Sequence, residues 1–178
     1  MRRSYWFAAA VIPFLLCVSS RAPAQSDWTE FSSPDGKFAA IFPERPEVNA
    51  DSGMARGIVA TTHILAASNV DVFCSVTFTD YSPRLDSSAR EEMEANRDNF
   101  LNEFKAMLIE SHDTMLAQAT GDALPAMIFS AANEVDTFRL FVAVDQLRSY
   151  MILAASQKAN PDDADMDRCI GGFHLTSQ

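Results

Sequence analysis

The chain has 178 residues, of which 48% are hydrophobic and 21% charged; these are globular values and exclude a disordered or low-complexity body. Its 24 acidic and 14 basic residues leave a formal charge of -10, a field that repels nucleic acid and anionic lipid and favours cationic partners. Six glycines, none arranged as a phosphate loop, give no support to nucleotide use, and no cofactor motif is present.

The amino terminus reads as an address. Arg2 and Arg3 precede an apolar run from Tyr5 to Val18, and Ala22-Pro23-Ala24 supplies small residues ahead of a cleavage point between Ala24 and Gln25. The run is shorter than the roughly 20 residues a spanning helix needs. The expectation is a signal peptide over 1–24, a single domain over 25–178, a periplasmic or secreted location, and no membrane span after cleavage. Removing that segment also removes Arg2, Arg3 and Arg21, so the exported part is more acidic than the whole. It keeps two cysteines, Cys74 and Cys169, each on the apolar side of its element. In an oxidising compartment they can form a disulfide; otherwise they are buried thiols acting as small hydrophobes.

The domain opens with a strand, turn and strand. Trp28 and Phe31 flank Thr29 and Glu30, Ser33-Pro34-Asp35-Gly36 is turn chemistry, and Phe38 to Phe42 is a short apolar strand stopped by Pro43 and Pro46. Arg56 to Ala67 and Val70 to Asp80, separated by Ser68-Asn69, form a hairpin signal rich in β-branched residues. In the second of these, Val70, Val72, Cys74, Val76 and Phe78 share one face, against Asp71, Ser75, Thr77 and Thr79 with Phe73 on the other, the pattern of a half-buried antiparallel strand.

Tyr81-Ser82-Pro83 breaks that run, and Ser88 with Glu91 has capping-box spacing. A helix is predicted from about Ser87 to Ile109, with Leu85, Ala89, Met93, Phe100, Phe104 and Met107 as its apolar stripe. Four strands at short spacing follow, over Ser111–Ala119, Ala126–Asn133, Thr137–Val144 and Ser149–Ala155; short connections imply an antiparallel meander. The last, containing YMILAA, is apolar on both faces and is predicted to be central and doubly covered. Asn160-Pro161 opens a second helix whose first turns are crowded with aspartates; Met166, Cys169, Ile170 and Phe173 form its buried side, Gly171-Gly172 ends it, and Phe173 to Leu175 can then extend back along the sheet. The fold class is therefore α+β: an antiparallel sheet of about six to eight strands, in ββββ-α-ββββ-α order, with two helices packed on it.

Few residues carry a chemical signature. Asp163, Asp165 and Asp167 match the opening of a calcium-binding EF-hand loop, but Arg168 stands where that loop needs Gly and His174 where it needs a bidentate Glu. These acids are better read as complementing the positive end of a helix. His63, His112 and His174 are scattered, without HExxH or C-x-x-C spacing, so no metal ligand set is assigned. No G-x-S-x-G elbow is present, and no catalytic residue is assigned. Tyr81, Arg84, Arg139 and Tyr150, at strand ends or on less apolar faces, are the candidates for lining a ligand cleft.

The order W-x-x-F-x-S-P-D-G-x-F-x-x-x-F-P-x-x-P, a strand ending Asp80-Tyr81-Ser82-Pro83, a long helix, a meander containing LRSYMIL and a final helix closing in Phe173-His174-Leu175 resembles the exported small-domain proteins of the PsbP/DcrB-like type. The resemblance implies an antiparallel sheet clad by helices, and an accessory role with no enzyme activity in common. The expected function is thus an exported, non-enzymatic accessory or binding protein of the bacterial envelope, with a small ligand or envelope protein as partner. The alternative is a small periplasmic hydrolase or metal-dependent enzyme whose site brings together chain-distant residues such as His63, Asp80 and Asp165.

Overall fold

A computed structural model describes residues 28–55, 58–118, 121–159 and 161–176. In chain order the elements are β1 (Thr29–Ser33), β2 (Phe38–Phe42), β3 (Glu47–Ala55), β4 (Ile58–Ser68), β5 (Phe73–Ser82), α1 (Ala89–Glu103), β6 (Met107–Ala117), β7 (Ala123–Ala132), β8 (Asp136–Val144), β9 (Arg148–Gln157), α2 (Asp163–Gly171) and β10 (His174–Leu175). The fold is α+β with antiparallel sheets: seven strands in the order β3-β4-β5-β9-β8-β7-β6, and a small sheet β1-β2-β10. The expected signal segment and the Ala24–Gln25 cleavage point lie outside the described residues.

Period-two alternation places two different sets of side chains on the two faces of the large sheet. One face carries Met127, Phe129, Leu140, Val142 and Leu153, and α1 covers it with Leu85 before the helix and Met93 and Phe100 within it. The other face carries Leu65, Cys74, Val76, Phe78, Tyr150 and Ile152, and it is covered by β2 through Phe38 and Phe42 and by α2 through Met166 and Cys169. Strand β9 sits fourth of seven, paired to β5 on one side and β8 on the other. Ile152 and Ala154 are fully buried on one face and Leu153 is buried on the other, which is why YMILAA has no polar side.

Local chemistry fixes several ends. Ser88 is the α1 N-cap with a complete capping box to Glu91. Asp162, not Asn160, caps α2, its side chain accepting from the Asp165 N–H at 2.9 Å; Asn160 lies outside the described residues. Gly172 ends α2 where a Cβ would lie 2.7 Å from Ile41 Cβ, so the close approach of helix and β2 requires glycine there.

Three expectations need correction. The first helix stops at Glu103 instead of continuing to Ile109: Phe104 is its C-cap, Lys105 takes φ 50°, and from Met107 the chain pairs with β7. The stripe residues Phe104 and Met107 are consequently 40% and 77% exposed. Ladder hydrogen bonds to β7, which need no apolar periodicity, outcompete a further helical turn. The second correction is β3, whose sequence EVNADSGMA lacks apolar alternation but which forms by pairing with β4 over nine residues; the return expected after the second helix forms as β10, on β2, and the described strands number ten. Third, the strand expected from Val70 begins at Phe73, because the Asn69 side chain accepts from the N–H groups of Asp71 and Val72, closing a turn that leaves Val70 94% exposed. Among the described residues no helix is long and apolar enough to cross a membrane.

Candidate functional site

On the face of the large sheet that meets α2, three strands present a polar strip. Register brings Glu110 beside Ser130 and Ser130 beside Arg139, with His112 beside Ile128 one step along. Helix α2 lies along this strip and contributes Asp167 and Ile170. Between them runs a cleft of about 250 Å³ lined by Glu110, His112, Ile128, Ser130, Arg139, Asp167 and Ile170. A smaller hollow of about 200 Å³ continues on the other side of Arg139 towards Pro161 and Asp163.

Arg139 organises the cleft. Asp163 and Asp167 are four residues apart on α2 and so share a helix face. The guanidinium donates to Asp163 Oδ1 at 2.8 Å and pairs with Asp167 through its other terminal nitrogen. On the opposite wall, Ser130 Oγ donates to Glu110 Oε1 at 3.1 Å. In the cleft two carboxylates, Glu110 and Asp167, stand with the Arg139 guanidinium and the His112 imidazole beside apolar Ile128 and Ile170, while Asp163 pairs with Arg139 from the adjoining hollow. That arrangement suits an ammonium, a guanidinium or another donor-rich group better than an anion.

The α2 wall is held from behind. Cys169 is joined to Cys74 of β5 by a disulfide, with Cα atoms 6.0 Å apart. Met166 is buried in the core below, and the Arg168 guanidinium lies over the Trp28 ring at 4.7 Å from its centroid. A covalent bridge, a core anchor and a cation–π contact therefore fix the helix whose acids hold Arg139.

The other expected cleft residues go elsewhere. Tyr150 is buried, and its hydroxyl donates to the Gly36 carbonyl at 3.0 Å, tying the first turn to β9. Burial raises its pKa above the ordinary tyrosine value, against the lowering pull of Arg148. Tyr81 lies on the opposite sheet face, its hydroxyl 2.9 Å from Ser149 Oγ and 3.4 Å from Glu92 Oε1, and anchors the start of α1. Arg84 lines a separate hollow of about 420 Å³ with Leu85, Pro125, Val144 and Gln146. Of the four, Arg139 alone lines the cleft beneath α2.

The residues of the alternative enzyme reading fall in two places, His63 and Asp80 in one cluster and Asp165 in another. Asp80 is held by Arg148 in a two-pronged pair, 2.6 Å from Nε and 2.9 Å from Nη2, while Nη1 donates to the Asp35 carbonyl at 2.8 Å. The same guanidinium sits 4.9 Å from the Phe78 ring centroid, and His63 stacks on that ring at 4.4 Å. Burial works to lower the Arg148 pKa, but the hydrogen bond and charge of Asp80 hold it above its ordinary value. This cluster locks the first turn to the sheet.

Asp165 instead groups with Asp71 and Asp162, one oxygen from each lying within 4.8 Å of the others. Asp71 precedes β5 and Asp80 lies near its far end, so the two clusters are separated by about 30 Å of extended chain at ~3.3 Å per residue. Burial, then the neighbouring Asp162, raises the Asp165 pKa, with Arg168 opposing. The three carboxylates could supply oxygens to a divalent cation. They also have a structural explanation at the α2 N-terminus, where Asp162 is the cap and the helix dipole favours negative charge. Because residues 163–171 are helical, the calcium-loop spacing of Asp163, Asp165 and Asp167 is not realised as a loop: two of the three turn to Arg139 and the third to Asp71.

Reading the sequence misses Glu110, Ser130 and Ile170 as cleft residues, and treats His112 as isolated. The available signal was the polar parity of Glu110, His112 and Thr114 on β6, obscured by extending the first helix over Met107–Ile109. No known family model matches the chain, and no curated protein matches it.

Proposed function

We propose that this chain is an exported, non-enzymatic accessory or binding protein of the bacterial envelope, of PsbP/DcrB-like type, that takes a cationic partner group in the cleft between α2 and β6–β8. The observation that carries the reading is the cleft itself: Glu110 and Asp167 line it with Arg139, His112, Ile128 and Ile170, Asp163 holds Arg139 from the adjoining hollow, and one wall is fixed by the disulfide. A disulfide persists in an oxidising compartment, which supports export. The acidic balance of the chain agrees with a basic partner, such as a lysine- or arginine-bearing segment of an envelope protein or a small polyamine.

The test is site-specific photocrosslinking in cells exporting the full-length chain. A photoreactive residue replacing Ile170, in the cleft, should trap one partner species, and the same residue replacing Val135, on the β7–β8 turn, should not. Equal or absent crosslinking at the two positions contradicts the assignment. A turnover activity abolished by replacing His63, Asp80 or Asp165 would move the protein into the rival, enzymatic class.

A further inference from the structure

We propose that β6 is the dimerisation edge of this protein, pairing antiparallel with the same strand of a second copy about a dyad through His112. The proposal is independent of what the cleft binds. Strand β6 is an outer strand of the large sheet, and among the described residues no strand is hydrogen-bonded along its far side. Along MLIESHDTMLA, Met107, Leu108, Ile109 and Met115 are 77%, 42%, 65% and 58% exposed. The strand contains no Pro, Lys or Arg, the residues that commonly protect a sheet edge from pairing. The other outer strand, β3, carries Glu47, Asn49, Asp51 and Ser52 along most of its length.

What singles out a second copy is the self-complementary order of the strand: apolar MLI, polar ESHDT, apolar MLA. In an antiparallel pair centred on His112, Glu110 stands opposite the partner's Thr114, Ser111 opposite the partner's Asp113, and His112 opposite the partner's His112. No two carboxylates are directly opposed. Each acid already has a partner within its own subunit: Glu110 accepts from Ser130, and Asp113 pairs with Arg90. The register shift between Leu108 and Glu110 ends the regular ladder there, so Met107–Ile109 close over the partner's Met115 and do not extend it. Any other centre of the same kind either opposes like charges or sets apolar ends against the polar middle. Pairing β6 with β3 would leave free edges and build an open filament, whereas β6 with β6 closes on itself. The closed form also brings Glu110 and His112 of both copies to one seam, joining two clefts on one continuous sheet face.

Sedimentation velocity over a concentration series, with protein expressed from the full-length sequence, decides the matter. One strand pair is a small interface, so a monomer–dimer equilibrium with Kd on the order of micromolar is expected. Ser111→Asp, placing two carboxylates opposite two others across the dyad, should weaken the dimer roughly 2- to 30-fold, and Ser111→Lys should tighten it by a similar factor. Ser111 is exposed, so both variants should melt with the parent. A monomer at every concentration, a dimer indifferent to both substitutions, or an open series of polymers would each overturn the proposal.

Discussion

Replacing Cys74 and Cys169 together by Ala asks how far the α2 wall depends on its covalent tie. The bridge spans 95 residues of chain. In the loop-entropy description, cross-linking a loop of this size restricts the unfolded chain by about 4.7 kcal/mol. Both positions are almost completely buried, so the truncation also removes packing at each site. Typical domain stability is about 5–15 kcal/mol, so the loss should be a large fraction of the total. Guanidinium denaturation at fixed pH should show an unfolding free energy lowered by most of that amount, and reduction of the wild-type protein should reproduce the part due to the cross-link. Hydrogen exchange should rise first in residues 163–171, since α2 loses its tie to β5 while α1, on the opposite face, keeps its contacts with β7 and β8. A double variant losing less than about 1 kcal/mol, or exchange rising equally in α1, would refute the reasoning.

Arg148→Met removes the guanidinium that holds Asp80 and the Asp35 carbonyl; a fully buried pair so broken costs about 3–5 kcal/mol, but Asp80 is 41% exposed and the expected loss is about 2 kcal/mol. Urea unfolding measures it, and a loss below about 0.5 kcal/mol would show that water replaces the pair freely. Arg139→Met, by contrast, breaks pairs whose acids are largely exposed, so stability should change by less than about 1 kcal/mol while crosslinking of a partner at Ile170 is altered. Ser88→Ala should cost about 1 kcal/mol at neutral pH through loss of the α1 cap. The Ser88 backbone and side-chain hydrogen bonds hold the Glu91 carboxyl below its ordinary pKa. Their stabilisation is present above the ordinary carboxylate range and fades as pH falls through the lowered value, so the gap between wild type and variant in thermal melts should narrow on acidification.

Much of the scaffold was legible because it rests on local rules. Alternation in FCSVTFTD, the Ser88–Glu91 capping box, the two-sided apolar run of β9 and the Gly171-Gly172 stop are each set by neighbours within a few residues. Strand β3 was invisible because its side chains are mostly exposed and its existence depends on the backbone edge of β4. The end of α1 was misplaced because Phe104 and Met107 continue the helical stripe, while the turn at Lys105 is decided by pairing with Ala131 and Ala132, more than twenty residues later. The cleft was legible only at Arg139. Its other members depend on the register between β6 and β7 and on where α2 lands, and no local pattern carries that information.

The central claim, an exported domain whose last helix is covalently tied to its sheet, is tested most directly by intact mass spectrometry with and without reduction and alkylation, on protein recovered after expression of the full-length chain. The account predicts a mass beginning at Gln25, with Cys74 and Cys169 alkylated only after reduction. A mass retaining Met1 to Ala24, or both thiols reacting without reductant under denaturing conditions, would contradict it.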